Sequence, residues 1–332
     1  MRAAARCRGA LLVSCQVLGL ACATSQPPDE WSETRAVHGV SIEIAVRGPE
    51  EMAARAAIDR AFAAAEEVGG ALLASRSGSE IDILAKVPSH LWLEIAPTTY
   101  AALMLAMEIA EATDGAYDPT WKSLLRLWGL EGRGPPRVPR DFEIDMALRR
   151  VDWSDVEVSD EDGLQARRLN RRTALDLGDL AHGAMLDAAI DRLRELGLPG
   201  ARASTRDQHA VFGGAGTHPW SIPVFALGGT VAHVRIGDGG LAVVTRGTLV
   251  SSEGGVAIHD RFDPRSGRPA GDSLWVVVAA ERASESAGYA SAVFAMGREA
   301  SAFIAERSDL RAAISGSEGA PWISPGLEMT LD

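Results

Sequence analysis

Apolar and polar positions along this chain switch between a period of two and a period of 3.6, which predicts strands and helices in alternation. Over residues 36–46, Val40, Ile42, Ile44 and Val46 fall on one face of a half-buried strand. Residues 50–68 are alanine-rich and set Met52, Ala56, Ile58, Phe62 and Ala65 at helical spacing, with Gly69 and Gly70 as the stop. A second helix covers 97–113 through Leu103, Met107 and Ala110, and a third covers 142–151. Residues 156–174 read as a hairpin, and 220–226, 231–236, 241–244 and 274–280 as strands. Residues 287–306 read as a helix. Gly132 to Arg140, GRGPPRVPR, is a linker between two halves of the fold.

Residues 174–197, ALDLGDLAHGAMLDAAIDRLRELG, organise the rest. Ala174, Leu175 and Leu177 form a short apolar strand that runs into Gly178 and Asp179. Leu186, Ile190 and Leu193 then keep helical spacing until Gly197. A helix N-terminus behind a glycine turn attracts phosphate, because unpaired N–H groups and a partial positive charge face outward there. An ordinary strand–turn–helix connection has the same pattern, so spacing alone leaves both readings open.

Composition narrows the field. With 332 residues, 46% hydrophobic and 23% charged, the chain can bury a large core in one domain or two close subdomains. A net charge of −12 argues against a nucleic-acid partner. Cys7, Cys15 and Cys22 are its only cysteines, leaving the body without disulfides or thiolate ligands. Arg2, Arg6 and Arg8 precede an apolar run broken only by Ser14 and Gln16, the plan of a secretory signal peptide too short for a good membrane span. Cys22 and the ATSQPPDE that follows look like the lipidated cysteine and tether of a bacterial lipoprotein, with Cys15 as the alternative. The expected organisation is a signal peptide over 1–22, a tether over 23–35, a domain over 36–320 and a C-terminal tail over 321–332. Such a protein is exported, periplasmic, and touches the membrane only through its lipid.

Residues 176–187 resemble the D-L-G-G-I-A-K-G-Y-x-x-D motif of the ApbE family, the Mg²⁺-dependent FAD:protein FMN transferases. Asp176, Leu177, Gly178, Ala181, Gly183 and Asp187 match, while Asp179 stands for a glycine and His182 for a lysine. Gly115-Ala116-Tyr117-Asp118-Pro119-Thr120 resembles G-A-F-D-P-T, and LLRLWGL at 124–130 resembles the segment after it. Residues 259–267, HDRFDPRSG, resemble H-I-I-D-P-R-T-G. The likeness runs from about residue 36 to 314 in the family's order. It implies an α+β fold of the ApbE type, T-fold-like, with mixed sheets, helices and a flavin cleft between two subdomains. It also implies FAD as substrate, Mg²⁺ as cofactor, and flavin contacts from Ala116, Tyr117, Asp118, Asp176, His182 and Gly183. The flavin acceptor it implies is an exported or membrane redox protein.

The departures from the motifs bear on the chemistry. After the central helix the family's G-G-D is reduced to Asp207, with Thr205 and Arg206 where glycines would stand; in the first strand M-G-T is reduced to Gly39 beside His38. The motif histidine aligns with Asp260, and His259 lies one residue early, which on a strand reverses its face. Asp260 is therefore the expected catalytic group. The Asp and Thr that bind Mg²⁺ at the start of the last helix correspond to Ala287 and Ser291. Asp179 lies where the family's turn lends the metal a carbonyl, so Asp179 and Ser291 are the expected metal ligands, unless Asp179 only caps its helix. The leading expectation is transfer of FMN from FAD to a Thr or Ser of an acceptor protein, with release of AMP. A catalytically degenerate flavin-binding or structural lipoprotein, and an FAD pyrophosphatase, stay open.

Overall fold

The structure is a computed structural model that describes residues 29–130, 135–214, 218–226, 228–247, 250–251, 257–271 and 273–332. The expected signal peptide and lipidated cysteine lie outside the described residues.

The alternation over 36–46 resolves into a hairpin. Strands Glu30–Val37 and Val40–Arg47 pair antiparallel with Val37 opposite Val40. The turn residues His38 and Gly39 have φ of 49° and 87°, positive at both positions as a two-residue turn matched to strand twist requires. Residues 30–35, expected to belong to a tether, are therefore strand. The expected tail is also part of the fold: Trp322–Ile323 extends the main sheet, and Met329–Leu331 pairs with Gly229–Ile236.

The main sheet has eight strands, in the order Glu30–Val37, Val40–Arg47, Gly200–Ser204, Gln208–Phe212, Gly239–Thr245, Ser273–Ala280, Arg311–Gly316 and Trp322–Ile323, antiparallel throughout. Both of its faces are covered, which is why its central strands read as apolar runs. Ala242, Val244, Val276 and Val278 point toward the helices. Leu241, Val243, Trp275 and Val277 point toward a three-stranded sheet made of Trp220–Ala226, Gly229–Ile236 and Met329–Leu331.

The helices are α1 Glu51–Leu72, α2 Glu80–Lys86, α3 Pro97–Ala112, α4 Lys122–Leu127, α5 Asp141–Leu148, α6 Asp179–Glu195, α7 Ala283–Met296 and α8 Ala300–Ala305. Helix α1 continues through Gly69 and Gly70 rather than stopping, because Gly69 is a packing position: a Cβ there would stand 2.9 Å from the His38 ring and 3.0 Å from Met185 on α6. The helix expected over 287–306 begins earlier, at Ala283, and is broken at Gly297, where φ is 66°.

A smaller lobe packs Leu124 of α4, Trp128 just after it, and Ile144 and Ala147 of α5 on Ile258 and Phe262. Trp128 Nε1 donates to the Gly267 carbonyl at 3.0 Å and ties the lobe to the segment of the third motif. The cleft lies between this lobe, the N-terminal end of α6 and the second half of α7.

Candidate functional site

Two loops meet to form one wall. The Tyr117 hydroxyl donates to the Leu177 carbonyl (3.1 Å), and the Asp176 N–H donates to the Pro119 carbonyl (2.7 Å). Lys122 Nζ donates to Asp176 Oδ2 at 2.8 Å, and the other oxygen of Asp176 accepts from Gly178 N–H at 3.0 Å. Asp118 is buried and accepts from the Thr120 N–H (2.7 Å), the Thr120 hydroxyl (2.6 Å) and the Trp153 N–H (3.1 Å). Its burial nevertheless holds its pKa above the usual carboxylate range. These residues are engaged with the protein itself, and their hydrogen bonds bring the first two motifs together as one unit.

Helix α6 starts in the cleft. Gly178, with φ 57° and ψ −130°, adopts a conformation that only glycine takes without strain, and it turns the chain into the helix. Gln208 Nε2 donates to the Asp179 carbonyl at 3.0 Å, docking the neighbouring sheet hairpin on the helix start. Further along the helix, Asp187 accepts from Ala283 N–H (2.8 Å), Ser284 N–H (3.0 Å) and the Ser284 hydroxyl (2.6 Å). That carboxylate holds the first turn of α7 and thereby sets Ser291 across from Asp179.

The cleft has a volume of about 280 Å³ and is lined by Ala116, Tyr117, Asp118, Trp121, Leu125, Leu130, Leu177, Gly178, Asp179, Val244, Asp260, Arg261, Phe262, Pro264, Ser291 and Phe294. One end is apolar and aromatic, with Trp121 and Phe262 at 6.5 Å between ring centroids. The polar end holds Asp179, Arg261, Asp260 and Ser291. Arg261 Nη1 donates to Asp179 Oδ2 at 2.6 Å, while its Nε lies 3.9 Å from Asp260 Oδ1 and is buried without a hydrogen-bond partner. Burial works against the Asp179 charge, but Arg261, then His182, and Ser291 outweigh it and hold its pKa below the usual range. The Asp179 carboxylate in turn raises the Arg261 pKa. Ser291 also donates to the Ala287 carbonyl at 3.1 Å.

Six of the residues expected from sequence thus share one cleft: Ala116, Tyr117, Asp118, Asp179, Asp260 and Ser291. Three others do not line it. Asp176 clamps the two loops from behind. His182 stands one turn along α6, 4.0 Å from Asp179. Gly183 is where α6 crosses α7, since a Cβ there would lie 2.5 Å from the Ala283 carbonyl oxygen. The expectation that Asp179 and Ser291 hold a metal meets a cation already in place, the Arg261 guanidinium.

Residues 259–261 are irregular, with a bend at Asp260, so the face reversal expected of a strand does not apply. His259 points inward. The Arg261 N–H donates to its Nδ1 at 3.2 Å, so Nε2 carries the proton and pairs with the Ala270 carbonyl at 3.0 Å. Burial keeps the His259 pKa below its ordinary value, in keeping with this neutral form. The bend sends Asp260 outward, its side chain 63% exposed at the cleft rim, and brings Arg261 in. His38 is likewise taken up by the fold, its Nε2 2.9 Å from the Glu66 carbonyl of α1. Arg261, Trp121, Phe262 and Gln208 are the site residues that sequence reading misses. The one signal for Arg261 was a cation inside the third motif beside the substituted histidine position.

A protein-family model described as the ApbE family matches residues 38–314. The chain is 26% identical to the FAD:protein FMN transferase of Rhodobacter capsulatus in an alignment that takes in all of this chain but spans only 64% of that relative's length. It is 25% identical to the FAD:protein FMN transferase of Salmonella typhimurium, covering 68% of each. Among solved structures, the ApbE protein of Thermotoga maritima superposes with a TM-score of 0.78 at 24% identity, over 90% of this chain and 97% of that one. The apo flavinyl transferase ApbE of Pseudomonas stutzeri gives 0.74 at 21% identity, over 92% and 95%.

Proposed function

The chain belongs to the ApbE family, and from that premise we propose that it is an FAD:protein FMN transferase that moves FMN from FAD to a Thr or Ser hydroxyl of an acceptor protein. The observation that carries the reading is the two-ended cleft. Its aromatic end offers Trp121 and Phe262 to a flat apolar ring system. Its polar end sets a helix N-terminus and a guanidinium where a pyrophosphate would follow.

In this reaction the acceptor oxygen forms a bond to the FMN-side phosphorus. The bond from that phosphorus to the bridging oxygen breaks, and AMP leaves with the bridging oxygen. The hydroxyl proton passes to a base, and Asp260, exposed at the rim where an acceptor would approach, is the residue placed to take it. Positioning and charge neutralisation supply most of the rate in such transfers.

The magnesium that the resemblance implied does not fit the donors at hand. Asp179 is paired with Arg261, the residue one turn before Ser291 is the buried hydrocarbon Ala287, and among the described residues no three His, Cys, Asp or Glu side chains cluster as a metal site. No step above passes through a metal.

The reading of residues 1–22 as a signal with Cys22 acylated supports placing the reaction in the periplasm, with an exported or membrane redox protein as acceptor. Loss of detergent partitioning on Cys22→Ser tests that placement. The activity itself is tested by mixing the purified full chain with FAD and an acceptor domain that carries the target threonine, following AMP and covalent flavin on a denaturing gel. Both products are expected. AMP without covalent flavin would make the protein a pyrophosphatase, and FAD binding with neither product would make it a flavin-binding relic.

A further inference from the structure

Resting on that reading, we propose that Arg261 is the cation of this site: its guanidinium, in place of a divalent metal, receives the pyrophosphate of FAD. The group is positioned on every side. Its backbone N–H is held by His259 Nδ1 (3.2 Å), its carbonyl by the Ala270 N–H (2.9 Å), and its side chain by Asp179 (2.6 Å). A guanidinium carries five N–H donors. Asp179 takes one of them, from Nη1, and the buried Nε is left without a hydrogen-bond partner in the wall of the cleft. The side chain is 29% exposed where it lines the cleft, so the part of the guanidinium not turned to Asp179 is what a phosphate oxygen entering the cleft would meet.

The same geometry explains Asp179. A carboxylate beside a pyrophosphate repels it unless a cation lies between the two. Arg261 is that cation, and Asp179 is a positioning residue that aims it. A metal entering here would have to take Asp179 from the guanidinium and leave a partly buried charge uncompensated. It would gain little in return, since the facing turn of α7 offers the Ser291 hydroxyl and the Ala287 carbonyl but no carboxylate.

The test is a flavin-fluorescence titration of the full chain with FAD and with riboflavin, which lacks the pyrophosphate, in EDTA and again in Mg²⁺. In EDTA, FAD is expected to bind more tightly than riboflavin. Arg261→Ala should weaken FAD about tenfold or more while moving riboflavin by less than about twofold, as loss of a charge-assisted contact to the phosphates alone requires. Arg261→Lys should restore part of the loss. Retained riboflavin binding shows that the variant's cleft is intact, and the comparison of EDTA with Mg²⁺ on the unaltered chain needs no variant at all. FAD binding that depends on Mg²⁺, or that is unchanged in Arg261→Ala, would overturn the proposal. If FAD binds through Arg261 in EDTA but neither AMP nor covalent flavin ever forms, the transferase reading fails and the role of Arg261 stands. If both products form but only with Mg²⁺ present, the transferase reading stands and the role of Arg261 fails.

Discussion

In the paired loops at 113–121 and 174–178, Tyr117, Asp118 and Asp176 are each bound to the protein by hydrogen bonds of 2.6–3.1 Å. At the opposite end of the same cleft, Arg261 keeps a buried Nε without a partner, and Asp260 is 63% exposed. The loops match the family's motifs almost residue for residue, whereas the polar end departs from them. A side chain whose polar atoms are all engaged internally builds the site, and one with polar atoms to spare meets the ligand. Motif matching therefore locates the scaffold of this cleft, while the departures locate its chemistry.

Substitutions can break that contrast. The largest effect is expected for Tyr117→Ala, which empties a buried volume and cuts the tie to Leu177; a stability loss of about 3–5 kcal/mol in urea unfolding is predicted. Asp118→Ala leaves buried donors unpaired and should lose about 2–3 kcal/mol. If either variant unfolded like the parent chain and lost only flavin affinity, these residues would be ligand contacts and not scaffold.

A buried group on the other face of the sheet sharpens the comparison. His209 sits on the sheet face turned away from the helices, opposite Leu241, with Nδ1 2.8 Å from the Ser204 hydroxyl and Nε2 unpartnered. Burial, aided by the charge of Arg202, pushes its pKa down to about 3. The unfolded chain then binds this proton first as pH falls below the ordinary histidine value. Stability should drop by up to about 1.4 kcal/mol per pH unit as pH falls from about 6.5 toward 3, and no further below that. His209→Gln should remove this slope without touching flavin binding. A slope that persists in the variant would assign the acid sensitivity elsewhere. The smallest stability effect is expected for Asp260→Asn, within about 0.5 kcal/mol of the parent as an exposed side chain allows. The same change should slow transfer by about 100-fold or more if Asp260 takes the proton.

Much of this molecule was legible in the sequence. Helices α1, α3 and α5 lie close to their expected bounds because alanine content and 3.6-residue spacing are local properties. The first hairpin was not legible, since the alternation was read from Val40, Ile42, Ile44 and Val46 alone, whereas the inward positions shift from Val37 to Val40 across the turn, where His38 and Gly39 take positive φ. Gly69 and Gly183 read as a stop and a ligand contact, yet both are where helices approach one another, a fact of tertiary packing. Ala116, Tyr117 and Asp118 fell into one cleft with Asp179, Asp260 and Ser291, whereas Asp176, His182 and Gly183 did not line it. Arg261 stayed hidden because its role depends on the bend at Asp260 and on a partner 82 residues away.

The most direct measurement follows AMP and covalent flavin together when the full chain meets FAD and an acceptor domain in EDTA. Both products are predicted to form in equal amounts without any divalent metal, and Arg261→Ala is predicted to suppress both. Absence of both products in EDTA, with both appearing once Mg²⁺ is added, would contradict the assignment of Arg261 as the cation of this site.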